Sequence, residues 1–427
     1  MTKYTYLTAL VMLLRQPTIV SANGLDKETA FQKALHNNPT YTAALATIDA
    51  ADGSRLQASL PPNPNAVFEI ENFAGEDENE GFEGTELTLG IGQKIEMGGK
   101  RSNRTKVADF SFQISKAQAK AQALSLLAET DYAYMRLAVA QERMALADKR
   151  LALADKTHEI VKKRVGAARA AEIEHTKADI ERAAAEVEQR KAEQEVVTAQ
   201  NDLARLLGRM DAADLDVDAD LNALPELVER NALLDALRNA PQMQAQEFAK
   251  LQARSSLDLA RSQAVPDPTF GLGIRRFNEY DSTALVAGVS FPLPVFNRNQ
   301  GGIAEAKANM IKADAENHAA GLALRQSAIQ AWESFAASLV EAKRYQSEII
   351  PSARKAYKQA DDGYSRGAFG FLDLLDAQRV LYEVQEARLD SLLSVYKAKA
   401  QTDFLMGTHK PLIEKLSQAH MKGQTNE

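Results

Sequence analysis

Two stretches place chemically capable side chains at helical spacing. Residues 363–377 read GYSRGAFGFLDLLDA, where Gly367 and Gly370 precede Asp373 and Asp376, three apart. Residues 164–178 read RVGAARAAEIEHTKA, where a glycine again precedes a helix start and Glu172 and His175 lie three apart. Groups three apart share one helix face, which puts both carboxylates of Asp373 and Asp376 on the same side. The plainer alternative makes Asp373 an acid of a first helical turn, stabilised by the helix dipole. For Glu172 and His175 that plainer reading is preferred.

Nothing around these residues completes a catalytic set. The chain has no P-loop, no GxGxxG before a helix and no GxSxG, and HEIVKKR (158–164) lacks the second histidine of a zincin. The histidines His36, His158, His175, His318, His409 and His420 are scattered singly, each read as solvated or satisfied rather than as a ligand. Zero cysteines exclude disulfides, thiolate catalysis and thiolate metal sites. The expectation is a chain with no enzyme activity, no cofactor and no metal site of its own.

A formal charge of −7 offers no electrostatic case for nucleic acid. Aromatic residues make up only 6%, and the chain is dense in Ala, Leu, Glu, Gln, Lys and Arg, which favours long helices and coiled coil. At the N-terminus Lys3 precedes the apolar run Tyr6–Leu14, and Val20-Ser21-Ala22 offers a small-residue cleavage site, so residues 1–22 are read as a signal peptide. No later stretch has the eighteen or so consecutive apolar residues of a transmembrane helix. A place in a membrane would rest on strands.

The chain says most things twice. ALHNNPTYTAALA (34–46) is echoed by ALRNAPQMQAQEF (236–248), Pro62-Asn63-Pro64 by Pro266-Asp267-Pro268, and ARLLG (204–208) by DFLMG (403–407). This predicts a first repeat over 23–208, a connector over 209–225, a second repeat over 226–407 and a tail over 408–427. Strands are expected at about 65–74 and 85–96, then 268–278 and 283–293. Helical hairpins are expected over about 100–207 with a tip near 166, and over about 299–406 with a tip near 367.

Within the strands, Phe68 and Ile70, then Leu87, Leu89 and Ile91, alternate with polar or small residues. Phe270, Leu272 and Ile274, then Leu285, Ala287, Val289 and Phe291, do the same in the second half. The apolar-out, polar-in pattern fits an outer-membrane strand. A single chain cannot close such a wall, since membrane barrels start at about eight strands and an open edge cannot sit in lipid. A membrane reading therefore demands copies.

Between residues 100 and 164 there is no proline, enough for a helix of roughly 100 Å. Ala133, Leu137, Ala140, Met144, Ala147, Leu151 and Ala154 follow coiled-coil spacing. Val139, Leu146, Leu153 and Ile160 form a second row, and Arg136, Arg143 and Arg150 run between the two. Two seams give each helix a neighbour on either side, as in a bundle or a tube of helices.

This order of helix, hairpin, long helix, glycine break and helix, given twice, resembles the TolC family of outer-membrane factors. GSRLQASLPPNPN (53–65), QKIEMGGKRSNR (93–104) and FPLPVFNRNQGGIAEAKA (291–308) look most like its CzcC/CusC-type heavy-metal efflux branch. The resemblance implies a mainly α protein with a membrane β part. Its duplicated repeat forms, as a homotrimer, a 12-stranded β-barrel continuous with a long α-helical barrel. It also implies the outer membrane of a Gram-negative bacterium, with the helices in the periplasm. A periplasmic adaptor and an inner-membrane RND pump are the implied partners, and divalent heavy-metal cations the cargo.

By the same resemblance 363–377 is the periplasmic gate, with Tyr364, Asp373 and Asp376 in the lock. The family's gate arginine is Phe369 here, so Arg366 is the candidate replacement. The tips Val165, Gly166, Ala167, Ala168, Gly367, Ala368 and Phe369 become adaptor contacts. A duct for drugs or secreted protein is the close alternative, and a soluble coiled-coil adaptor a distant one.

Overall fold

The computed structural model describes residues 24–413 except 75, 76, 78–80 and 213. The expected signal peptide, most of the C-terminal tail and His420 lie outside the described residues.

The chain opens with α1 (Lys27–Asn37), capped by Asp26, whose carboxylate accepts from the Thr29 amide at 3.0 Å. Proline then starts α2 (Pro39–Ser59), where a missing N–H costs nothing. Asn38 caps it through Oδ1 and donates from Nδ2 to the Leu206 carbonyl at 3.0 Å. One side chain thus ties the start of this half to its end.

Four strands follow in two pairs: β1 (Asn65–Glu71), β2 (Glu86–Lys94), β3 (Thr269–Phe277) and β4 (Ser282–Ser290). They form one antiparallel sheet in the order β1-β2-β3-β4, so the two halves meet through the β2–β3 ladder. The register lines up Phe68, Leu89, Ile274 and Leu285 in one cross-strand row. These side chains are 66%, 64%, 53% and 88% exposed, so the apolar face has no partner among the described residues. On the opposite face Arg275 is gripped by Glu71 and Glu86, each at 2.7 Å, and by Thr88 at 2.9 Å. Gly90 and Gly273 face one another at the β2–β3 crossing, where a Cβ would lie 2.8 Å from a backbone oxygen.

Below the sheet, α3 (Lys100–Gly166) turns back into α4 (Glu172–Leu206). The short α5 (Arg230–Ala236) and a 3₁₀ turn lead into α6 (Pro241–Gln263), which packs on α3 and on α7 (Gln300–Arg344). Then come α8 (Ile350–Ser365) and α9 (Phe371–Met406). Helices α7 and α8 are separated by a π turn, Tyr345–Ile349, just before Pro351. Proline lacks the amide donor and crowds the carbonyl one turn back, so the helix widens there instead of breaking.

Of the first α3 row, Ala133, Leu137, Ala140, Ala147 and Ala154 are buried, and Met144 and Leu151 are half-buried. In the second row Val139 and Leu146 are buried, Leu153 is half-buried and Ile160 is exposed. Burial therefore thins toward the tip. The main core gathers near the middle of α3, where α1, α4, α7, α9 and the side chains of Ala212, Leu215, Val217 and Leu221 converge on Leu124, Leu127, Tyr134 and Leu137.

Helix α4 ends in a Schellman turn: the Arg209 amide donates to the Ala204 carbonyl at 2.9 Å, and Gly208 takes a left-handed φ of 69°. A Cβ on Gly208 would overlap the Asn37 carbonyl oxygen. Gly208→Ala is expected to destabilise the chain by at least ~2 kcal/mol, adding steric overlap to the left-handed penalty. A fall in the thermal unfolding midpoint of the detergent-solubilised variant checks this.

Candidate functional site: the shared tip of the two helical hairpins

The α3/α4 and α8/α9 hairpins end in matching turns. In the first, the Arg169 amide donates to the Arg164 carbonyl at 2.8 Å and Ala168 takes φ 55°. In the second, the Ala368 amide donates to the Gly363 carbonyl at 2.8 Å and Gly367 takes φ 75°. Both are Schellman turns with the left-handed residue just past the helix. Gly166, at the expected tip, is the last α-helical residue of α3, and the left-handed position falls to an alanine. The left-handed residues also set the correspondence of the two tips. Ala168 matches Gly367, so Glu174, rather than Glu172, matches Asp373.

The two tips pack on each other. Val161 and Ala178 from the first hairpin share a small core with Ala360, Tyr364, Phe371 and Leu374 from the second, with Val165 half-buried against it. Tyr364 is buried, its ring 5.9 Å from that of Phe371 and covered by the Arg164 guanidinium at 4.7 Å. Its hydroxyl is buried close to Arg164. Burial pushes the phenol above its ordinary pKa, and the Arg164 cation pulls the other way. The arginine on Tyr364 thus comes from the other hairpin. Arg366 is exposed and donates from Nε to the Asp362 carbonyl at 3.0 Å, within its own helix.

Asp373 turns back on its own helix start, where Oδ2 accepts from the Gly370 amide at 2.9 Å. Asp376 is exposed and pairs with Arg379 at 2.7 Å, which also reaches Glu383 at 3.5 Å. The two carboxylates therefore have different tasks within the chain: one holds the helix terminus, the other projects into solvent. Gly166, Ala167, Ala168, Gly367, Ala368 and Phe369 are all exposed. The Phe369 ring nonetheless lies across Gly363, where any Cβ would collide with it.

The arginines between the two heptad rows reach across the hairpin. Arg136 pairs with Asp202, and Arg150 with Glu181 at 2.9 Å. Arg143 joins three helices, meeting Glu195 of α4 at 2.7 Å and Glu386 and Asp390 of α9 at 2.9 and 2.5 Å. Burial raises the Glu386 pKa, against the pull of Arg143.

The single-residue reading of the histidines does not hold for two of them. His158 of α3 and His175 of α4 sit with ring centroids 5.1 Å apart, and Asp179 lies beside both. The signal was distance from the turn: His158 lies ten residues before Ala168 and Asp179 eleven after it, so an antiparallel hairpin brings them level.

The family model described as outer membrane efflux protein matches residues 30–209 and 232–408. The chain is 30% identical over 388 residues, 91% of each chain, to the cobalt-zinc-cadmium resistance protein CzcC of Cupriavidus metallidurans. It is 30% identical over 302 residues, 70% of this chain and 71% of the relative, to the nickel and cobalt resistance protein CnrC of the same organism. In fold it matches the open-state MtrE outer membrane channel of Neisseria gonorrhoeae, with a TM-score of 0.76 and 20% identity over 89% of this chain and 88% of that one.

Replacing Ala168 by glycine removes the left-handed penalty at that turn. Ala168→Gly is expected to stabilise the tip by ~0.5–1 kcal/mol. Slower amide hydrogen exchange over 160–175, with the rest of the chain unchanged, is the readout.

Proposed function

We propose that this chain, which belongs to the outer membrane efflux protein family, is the exit duct of a tripartite efflux system for divalent heavy-metal cations. It contains the four-stranded sheet and long helices of a TolC-like outer-membrane channel. The observation that carries the reading is a sheet with an apolar, solvent-exposed face and two edges, β1 and β4, that no strand among the described residues covers. Lipid solvates the face but cannot satisfy the edges. Three copies joined edge to edge give twelve strands and no edge, with the Arg275 side turned to the lumen. The helical hairpins then continue the barrel as a periplasmic tube, whose tips meet an adaptor linked to an inner-membrane pump.

Cargo follows from the resistance proteins to which the chain is similar over most of its length. Tyr364, Arg366, Asp373 and Asp376 are the proposed gate. Asp376, exposed at the tip, repeats around the threefold axis as a ring of carboxylates that favours cations over anions. Arg164 joins this set because its guanidinium covers Tyr364. The adaptor contacts proposed are residues 165–168 and 367–369.

The duct reading predicts a trimer mass in detergent and cation-selective pores in planar bilayers. A stable monomer that forms no pore would sink it. Asp376→Ala combined with Asp373→Asn, which keeps an acceptor at the helix cap, is expected to raise conductance and lower cation preference. Unchanged values would remove both carboxylates from the gate. Deleting the protein is expected to sensitise the bacterium to zinc, cobalt or cadmium in growth assays, and normal growth on all three would overturn the metal cargo.

A further inference from the structure

We propose that His158, His175 and Asp179 form a binding site for a divalent transition-metal ion, clasping α3 to α4 just above the first tip. His158 Nε2 lies 2.9 Å from Asp179 Oδ1. His175 Nδ1 lies 3.5 Å from Asp179 Oδ2 and 3.7 Å from Glu172 Oε1. The ligand atoms of the three residues fall within 4.8 Å of one another. A tetrahedral zinc ion with bonds near 2.0–2.2 Å separates its ligands by about 3.3 Å, so small side-chain rotations close the set.

Two further features point to a cation. His175 and Asp179 are one turn apart on α4, and His158 comes level from the facing helix, which is a rigid bidentate-plus-one arrangement. The imidazoles are largely sheltered, with side chains 15% and 26% exposed. Two imidazoles and a carboxylate suit Zn²⁺, Co²⁺ or Ni²⁺ and disfavour Ca²⁺ and Mg²⁺. Asp179 is half-exposed, leaving a coordination position for water and a path for exchange.

A second group, Asp131, Asp403 and His409, has similar spacing but a different environment. Lys27 sits 2.6 Å from Asp131, and Lys399 pairs with both aspartates. Two ammonium groups already neutralise those carboxylates, so the cluster is an ion-pair network. It supplies an internal control.

The site belongs to this chain whatever the duct carries, and its test is independent of the growth and conductance measurements above. The test uses tag-free, metal-stripped full-length protein in detergent, titrated with Co²⁺ by visible absorption and with Zn²⁺ by calorimetry. The expected result is one saturable site per chain with cobalt bands of a low-coordinate complex. His158→Ala and His175→Ala should each weaken binding at least tenfold, and the double variant should abolish it. His409→Ala should leave it unchanged, and circular dichroism should show all variants equally helical. No saturable binding by the unmodified chain, or the same stoichiometry and affinity in the double variant, overturns the proposal.

Discussion

Backbone amides and carbonyls cannot be left bare in hydrocarbon, and this one constraint organises the molecule. The sheet of a single chain turns an apolar face outward and stops at two open edges. Its cross-strand row of Phe68, Leu89, Ile274 and Leu285 would be an aggregation hazard in water. In the proposed duct lipid solvates the same row, and closure by copies would remove the edges. The polar face, with Arg275 held between Glu71 and Glu86, would then line a wet interior.

The helices meet a different constraint: the wall of the proposed tube needs each helix to contact neighbours on both sides without sliding. Two heptad rows on α3 provide the seams, and alanines within them allow close approach. Ion pairs set the register. Arg143 meets carboxylates from α4 and α9 at once, and a slip of one turn would strand its partly buried charge. Such pairs add little net stability, but breaking them is costly, which makes them suited to specifying alignment.

At the tips, packing yields to conformational demand. Burial falls away from Val161 onward, and the two hairpins are joined by one small apolar cluster and by Arg164 lying over Tyr364. A region with few buried contacts is where a protein opens at low free-energy cost. The contact between Arg164 and Tyr364 joins residues of different hairpins, so any separation of the tips must break it.

What the sequence determined by itself is local and periodic. Alternation marked the apolar strand faces, and the heptads of α3 marked its buried seams. Each depends only on neighbours a few residues away, and these periods were enough for a mainly helical chain with a small antiparallel sheet. The tertiary structure decided which partner each face meets. It put the left-handed turn on Ala168 rather than Gly166, aligned Glu174 with Asp373, and set Arg164, not Arg366, on Tyr364. It also joined His158 to His175 and Asp179. A period records that a residue faces inward, whereas a contact across a hairpin depends on where the turn falls, and one residue of shift at the turn changes every pair above it.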